Sequence, residues 1–374
     1  MHNNLQMIAK ITCLASALLF LGCDRQTQQP NFDQTLTQAE SYLISGQIQS
    51  AVIEGQNLLR MQPRSPEALR LLGDVYFAAG DYKNAAQNYN QSLKQNSSTP
   101  TLINAIDSLT RIGKLDEATV SLKTLQQDPS ATVDALRLEG NIALTNGQLE
   151  NAIELFTAAV EIDPNHGESL LGLAKAHQLK GDTKASLDWL NQAVASKADF
   201  IDALLFKGFS LLGSNEPARA EESFSQALAG VGKYDVMTSQ KYQAIQGLAK
   251  SYVDQGRTEE ALRLNKTLAN SPQGKVQQAI RNALEAYQDG DNEKAQENFE
   301  RVLQIAPGHQ LSNLGLGMIK LKEGDIKTAE HLLSQASDND LSTINEQTFK
   351  ALTLARLQLG KQDAALDILS LIHI

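Results

Sequence analysis

Apolar residues recur along this chain at the three- and four-residue spacing of helices, and small residues recur at a longer, stricter interval. Leu69, Leu72 and Tyr76 share one helical face, as do Ile245, Leu248 and Tyr252. One small side chain marches through Ala51, Ala85, Ala118, Ala152, Ser186 and Ala220, then Ala261, Ala295, Ala329 and Ala365. The intervals are 34, 33, 34, 34 and 34 residues, then 41, then 34, 34 and 36. A second small series keeps step with it: Ala39, Gly73, Gly140, Ala174, Gly208, Ala249, Ala283 and Gly317. Between the two fall Gly46, Gly80, Gly113, Gly147, Gly181, Gly256, Gly290, Gly324 and Gly360. Two helices approach closely only where the facing side chains are small. A glycine between them supplies the left-handed residue that ends the first helix. The pattern therefore predicts helix pairs, the second helix of several closed by Pro63, Pro129, Pro164 or Pro307. Four residues after the small marker that second helix carries a bulky ring: Tyr89, Phe156, Phe224 or Phe299.

A period of 34 residues is that of the tetratricopeptide repeat. Residues 149–164, LENAIELFTAAVEIDP, resemble the second helix of that repeat almost position for position. The resemblance implies an all-α fold, a right-handed α-solenoid of about ten helix-turn-helix repeats. Six repeats are expected over residues 33–228 and about four over 241–374. The 41-residue interval holds seven extra residues, placed within 229–240, AGVGKYDVMTSQ. Its glycines and polar flanks predict a long loop or lengthened helix ends, either a neutral insertion or a hinge. The repeat with Asp107 and Thr110 is the weakest, because Ile106 and Asp107 stand where a small residue is usual. Residues 369–374, LSLIHI, end in mid-helix without the polar cap that closes a solenoid, so a truncated reading frame is expected.

The N-terminus has a different pattern. Lys10 precedes an apolar stretch over residues 11–21, too short for the roughly 20 residues that span a bilayer. It has the length of a secretory signal core. The stretch closes on Phe20-Leu21-Gly22-Cys23, which resembles a bacterial lipobox; an ordinary signal peptide with an incidental cysteine is the alternative. The resemblance implies a signal peptide over 1–22, lipidation of Cys23 and a tether over 23–32. Cys13 would be discarded, leaving Cys23 alone, so neither an intrachain disulfide nor a cysteine metal site is available. Asp24 resembles an inner-membrane retention signal and favours that membrane, the outer membrane being the alternative; either way the chain would face the periplasm. Lipobox, short tether and repeats together resemble the tetratricopeptide lipoproteins of exopolysaccharide export and PEP-CTERM protein sorting. Pilus or outer-membrane assembly lipoproteins, the regulatory arm of a longer catalytic polypeptide and a cytosolic adaptor are the other readings.

Composition narrows the chemistry. The chain has 374 residues and a formal charge of −10, from 43 acidic against 33 basic side chains, with no basic stripe. Phosphate backbones are repelled, and nucleic-acid binding is not expected. No GxxxxGK[ST], HExxH or GxSxG motif occurs, so no enzyme activity, cofactor or metal is expected. His166 and His309 recur just after a repeat-ending proline and read as polar residues near a helix start. His177 and His331 have no carboxylate partner evident from spacing, and Trp189 falls on an apolar face beside Leu187 and Leu190. These three read as structural.

Function is then expected on the concave surface lined by the first helices, with protein partners. By register that face carries Asp134, Arg137, Asn141 and Thr145, then Glu168, Leu171, Lys175 and Gln178, then Asp202, Leu205, Phe209 and Leu212. Further on it carries Ile280, Leu284 and Tyr287, then Leu311, Leu314, Met318 and Leu321. Arg137 and Asn141 imitate half of the carboxylate clamp of tetratricopeptide cochaperones. Gly172 stands where the next asparagine is required, so a clamp is not supported. The apolar run from Ile280 to Leu321 predicts either a groove for an amphipathic helix or apolar segment, or a face buried by superhelical winding or a one-residue register error.

Overall fold

A computed structural model describes residues 31–197, 199–337 and 346–370. The readings at Cys23, at Asp24 and at residues 371–374 lie outside them. Among the described residues there are twenty α-helices, one short 3-10 turn and no strand. They pack as ten consecutive pairs. The first four are α1 (Phe32–Ile44) with α2 (Ile48–Met61), α3 (Pro66–Ala79) with α4 (Tyr82–Gln95), α5 (Thr99–Arg111) with α6 (Leu115–Leu125), and α7 (Thr132–Thr145) with α8 (Leu149–Ile162). The next three are α9 (Gly167–Leu179) with α10 (Thr183–Ser196), α11 (Ile201–Gly213) with α12 (Pro217–Val231), and α13 (Ser239–Asp254) with α14 (Thr258–Asn270). The last three are α15 (Pro272–Gln288) with α16 (Asn292–Ile305), α17 (Gln310–Glu323) with α18 (Ile326–Ala336), and α19 (Glu346–Gln358) with α20 (Gln362–Ser370). No helix among the described residues is long and apolar enough to cross a membrane.

The turn inside each pair follows from two residues. The nine glycines of the third series all have φ between 72° and 85°, the left-handed region that ends α1, α3 and their counterparts. The tenth turn, between α11 and α12, uses Asn215 at φ 60°, the residue type that tolerates this region best after glycine. In four pairs an aspartate follows the glycine and caps the second helix: Asp81, Asp182, Asp291 and Asp325 each accept the backbone N–H three residues on.

The two small series meet where the helices cross, and every alanine of the first series is buried. Rings fill the space beyond. Tyr89, Phe156, Phe224 and Phe299 are among the largest fully buried side chains, each wedged between its own first helix and that of the next repeat. A Cβ at Gly140 would stand 2.7 Å from the Phe156 ring, and one at Gly172 in the next repeat 2.4 Å from it. Glycine on both sides is what lets the ring in. The weak third repeat solves the problem differently. Ile106 is fully buried and packs with Leu109, Leu122 and Leu125, while Asp107 turns away to pair with Arg111.

Both forms expected of the insertion are present. Helices α12 and α13 run to 15 and 16 residues, and a loop over 232–238 joins them. That loop lies against the first repeat: Tyr234 and Val236 pack on the cluster that holds Ala39, Ile48 and Leu58.

Candidate functional site: two halves of the concave face

The expected apolar run forms one groove in the C-terminal repeats, enclosing about 420 Å³. Leu284 and Tyr287 come from α15, Leu311, Leu314, Met318 and Leu321 from α17, and Leu354 with Gln347 and Lys350 from α19. Phe299 of α16 closes the floor. Burial within the groove is graded. Leu314 is buried, whereas Leu284, Leu311 and Leu354 are 37%, 41% and 48% exposed. The Lys322 ammonium sits 4.4 Å from the centre of the Tyr287 ring and places a charge at the rim. Ile280, expected in this groove, is partly buried one turn before Leu284 and does not line it. Leu354 was missed. The 36-residue step from Ala329 to Ala365 also carries Met318 onto Leu354, so extending the register by one repeat would have found it.

The N-terminal half of the face is charged and largely satisfied within itself. Arg111, at the end of α5, donates to Asp107 at 3.2 Å, to Asp202 at 3.0 Å and to the Tyr82 hydroxyl at 3.1 Å. Its guanidinium also lies over the rings of Tyr82 and Phe77. Burial disfavours the Arg111 charge, but Asp107 and Asp202 overcome that and raise its pKa further. Burial alone would raise the Asp202 carboxyl. The Arg111 charge and the Gln240 amide, which donates at 2.6 Å, hold it below the usual carboxylate range instead. Asp107, Arg111, Asp202 and Gln240, together with Arg137, His166, Lys233 and Tyr234, line a groove of about 600 Å³.

Several expected groove residues are not free there. Arg137 is 5% exposed, donates to Asp134 at 3.4 Å and lies 4.0 Å from Asp107, so its charge is engaged by the chain itself. Leu205 is 4% exposed, because helices of adjacent repeats close over it. Asn141 is partly buried and lines neither groove. Phe209 is 38% exposed and stands edge-on to Phe224 at 4.9 Å. Lys175 is partly exposed beside Asp202 and Phe209, with no carboxylate among the described residues within 4 Å of its ammonium. Burial pushes that ammonium's pKa down, and the Asp202 charge opposes the shift only in part.

The histidines take local roles. His166 and His309 stand just before α9 and α17, their Nδ1 atoms 2.7 Å and 3.0 Å from the hydroxyls of Ser169 and Ser312. His177 does have a carboxylate at hand, since Asp182 across the turn lies 4.0 Å from it, which linear spacing did not reveal. Trp189 is partly buried and packs against the clusters that hold Leu190 and Leu173. No group of three or more His, Cys, Asp or Glu with metal-holding geometry occurs among the described residues.

Comparison with known proteins agrees with this architecture. Tetratricopeptide repeat family models match residues 143–207 and 286–353, and a second such model matches 105–167. A model described as anaphase-promoting complex, cyclosome, subunit 3 matches residues 26–125. Anaphase-promoting complex subunit 7 of Arabidopsis thaliana is 23% identical over 262 residues, 69% of this chain and 45% of that protein. Human DnaJ homolog subfamily C member 3 is 27% identical over 229 residues, 61% of this chain and 40% of that protein. The chain thus spans less than half the length of these curated relatives. Among solved structures, the anaphase-promoting complex hetero-tetramer Cut9-Hcn1 aligns over 87% of this chain and 66% of its own, at 12% identity and a TM-score of 0.48. The human IFIT1 dimer with PPP-AAAA aligns over 86% and 75%, at 14% identity and a TM-score of 0.49.

Proposed function

We propose that this chain, a tetratricopeptide repeat protein and so a protein–protein interaction scaffold, receives its partner in the groove across α15, α17 and α19. The partner would present an amphipathic helix or apolar segment. One observation carries the reading. Leu284, Leu311 and Leu354, on three successive first helices, remain 37–48% exposed around a shared apolar floor. Monomeric proteins seldom leave such a patch in water without using it. A helix presenting apolar residues at three- and four-residue spacing fits a groove of this kind. Met318 at its centre adds an adaptable, polarisable surface.

The proposal extends to place. Residues 20–23 support anchoring through a lipidated Cys23, with the repeats in the periplasm. Asp24 favours retention at the inner membrane. A part in exopolysaccharide export or PEP-CTERM protein sorting rests on the order of lipobox, tether and repeats alone. Two measurements test these levels separately. A photocrosslinker at position 318 in the native cell should capture a partner, and Leu354→Glu should reduce that capture by roughly tenfold or more with stability changed by under about 0.5 kcal/mol. Undiminished capture removes the groove reading. Globomycin should retain the uncleaved precursor; an unchanged apparent mass removes the anchor and leaves the groove reading intact.

A further inference from the structure

The loop between α12 and α13 makes contacts that no other connection among the described residues makes. Its Asp235 N–H donates to the Gly46 carbonyl at 3.0 Å, and its carboxylate accepts the Ile48 N–H at 3.0 Å. Lys233 reaches the Ile44 carbonyl with its ammonium, also at 3.0 Å. These bonds join residues 187 and 189 positions apart, between the seventh repeat's approach and the first repeat's turn. They also answer a local need. The first pair has Gln47 where four other pairs carry a capping aspartate, and Gln47 makes no side-chain cap. Asp235 brings a carboxylate to that helix start from outside.

The glycine turns show how selective this contact is. At Gly46 an added Cβ would stand 2.6 Å from the Lys233 carbonyl oxygen, and at Gly80 3.0 Å from Ser239. The other seven left-handed glycines have nothing within 4 Å. Among the nine glycine turns, and among the described residues, those of repeats one and two are the ones covered, and the cover comes from residues 233–239. Between the same two ends, Arg111 of the third repeat pairs with Asp202 of the sixth at 3.0 Å.

We propose that the α12–α13 loop is a latch, which fastens the seventh repeat to the first and holds the N-terminal repeats as one closed superhelical turn. The charged groove lies inside that turn, with Asp107, Arg111 and Arg137 on one side and Asp202, Lys233 and Gln240 on the other. The fastening is made of hydrogen bonds and ion pairs with modest apolar support. Such contacts at a partly exposed surface weaken as salt rises, while the apolar cores within repeats do not. Release of the latch therefore opens the groove without unfolding the helices. In a solenoid each repeat depends on its neighbours alone, so the helix pairs persist when the distant contact is lost.

The test uses the full chain, with hydrogen exchange by mass spectrometry and small-angle X-ray scattering on the same samples. Asp235→Ala and, separately, Arg111→Gln should each speed exchange at both ends of the closure, residues 44–50 and 233–243, by tenfold or more. The scattering radius should rise while far-UV circular dichroism stays unchanged. About 0.5 M NaCl should do the same to the wild type. Faster exchange confined to 46–50 in Asp235→Ala, with the radius unchanged in both variants and in salt, would make Asp235 a local helix cap and overturn the latch.

Discussion

One structural column compares the two halves of this protein directly. The position 11 residues before each small marker reads Glu40, Asp74, Asp107, Asn141 and Lys175, then Phe209 and Lys250, then Leu284, Met318 and Leu354. The backbone frame is the same throughout, yet the first five side chains are polar and the last three apolar. The outcome differs accordingly. Asp74 accepts from the Tyr89 hydroxyl at 2.8 Å and from Arg70, and Asp107 holds Arg111. Glu40 also pairs with Arg70, at 3.2 Å. Glu40, Asp74 and Asp107 thus find partners inside the chain, and a polar group left unpaired out of water costs free energy. Leu284 and Leu354 find none, and stay in contact with solvent. A concave face that has satisfied itself is architecture, and one that has not is a place for something else.

The largest effect expected on this contrast comes from the ring that underlies each half. Phe156 and Phe299 occupy equivalent positions and are 0% and 1% exposed. Either substitution to alanine opens a cavity and should cost about 3–5 kcal/mol. Only Phe299→Ala removes the floor of the apolar groove, so only it should also abolish crosslinking from position 318. Chemical denaturation gives the first quantity and the crosslink yield the second. Equal loss of crosslinking from Phe156→Ala would show that the halves are not separable sites.

Much of this frame is legible in the sequence, for a physical reason. Side chains that decide how neighbouring repeats pack must recur at the repeat interval, so the left-handed glycines, the buried alanines and the wedged rings all declare themselves. What recurs only once does not. Asp235 meets Ile48 across 187 residues, a contact that periodicity cannot report. The burial of Arg137 and Leu205 is missed for a related reason. Register places a residue on the concave face, but the distance between adjacent first helices decides whether it stays open. Leu354 escaped because the last interval is 36 residues rather than 34.

A smaller effect should follow from acid. Asp202 faces Arg111 and Asp107 from α5, Tyr82 from α4, Lys175 from α9 and Gln240 from α13. Its carboxyl is held below the usual range, so the ionised form stabilises the closed turn. That stabilisation is complete above the unfolded value of about 3.9 and is lost as pH falls through the lowered folded one. The wild-type scattering radius should therefore expand more between pH 5 and pH 3 than that of Asp202→Asn. Identical acid expansion in the two would place the acid-sensitive contact elsewhere.

The smallest effect isolates Lys175, the cationic column residue of the charged half, whose ammonium makes no ion pair within 4 Å among the described residues. Lys175 has its ammonium pKa lowered by burial, with the Asp202 charge only partly opposing this. Its folded value lies below the unfolded one of about 10.4, so the unfolded chain binds the proton more tightly between the two values. Stability must then rise with pH across that window, and at neutral pH the charged lysine is a net burden. Lys175→Met keeps the packing volume beside Phe209 and removes the charge, while Asp202 retains Arg111 and Gln240. It should stabilise the chain by about 1 kcal/mol at pH 7, and the gain should shrink as pH approaches about 10.4. Denaturation of both forms at pH 7 and pH 10 decides this. A loss of stability at pH 7 would mean that the Lys175 charge is held by the groove after all.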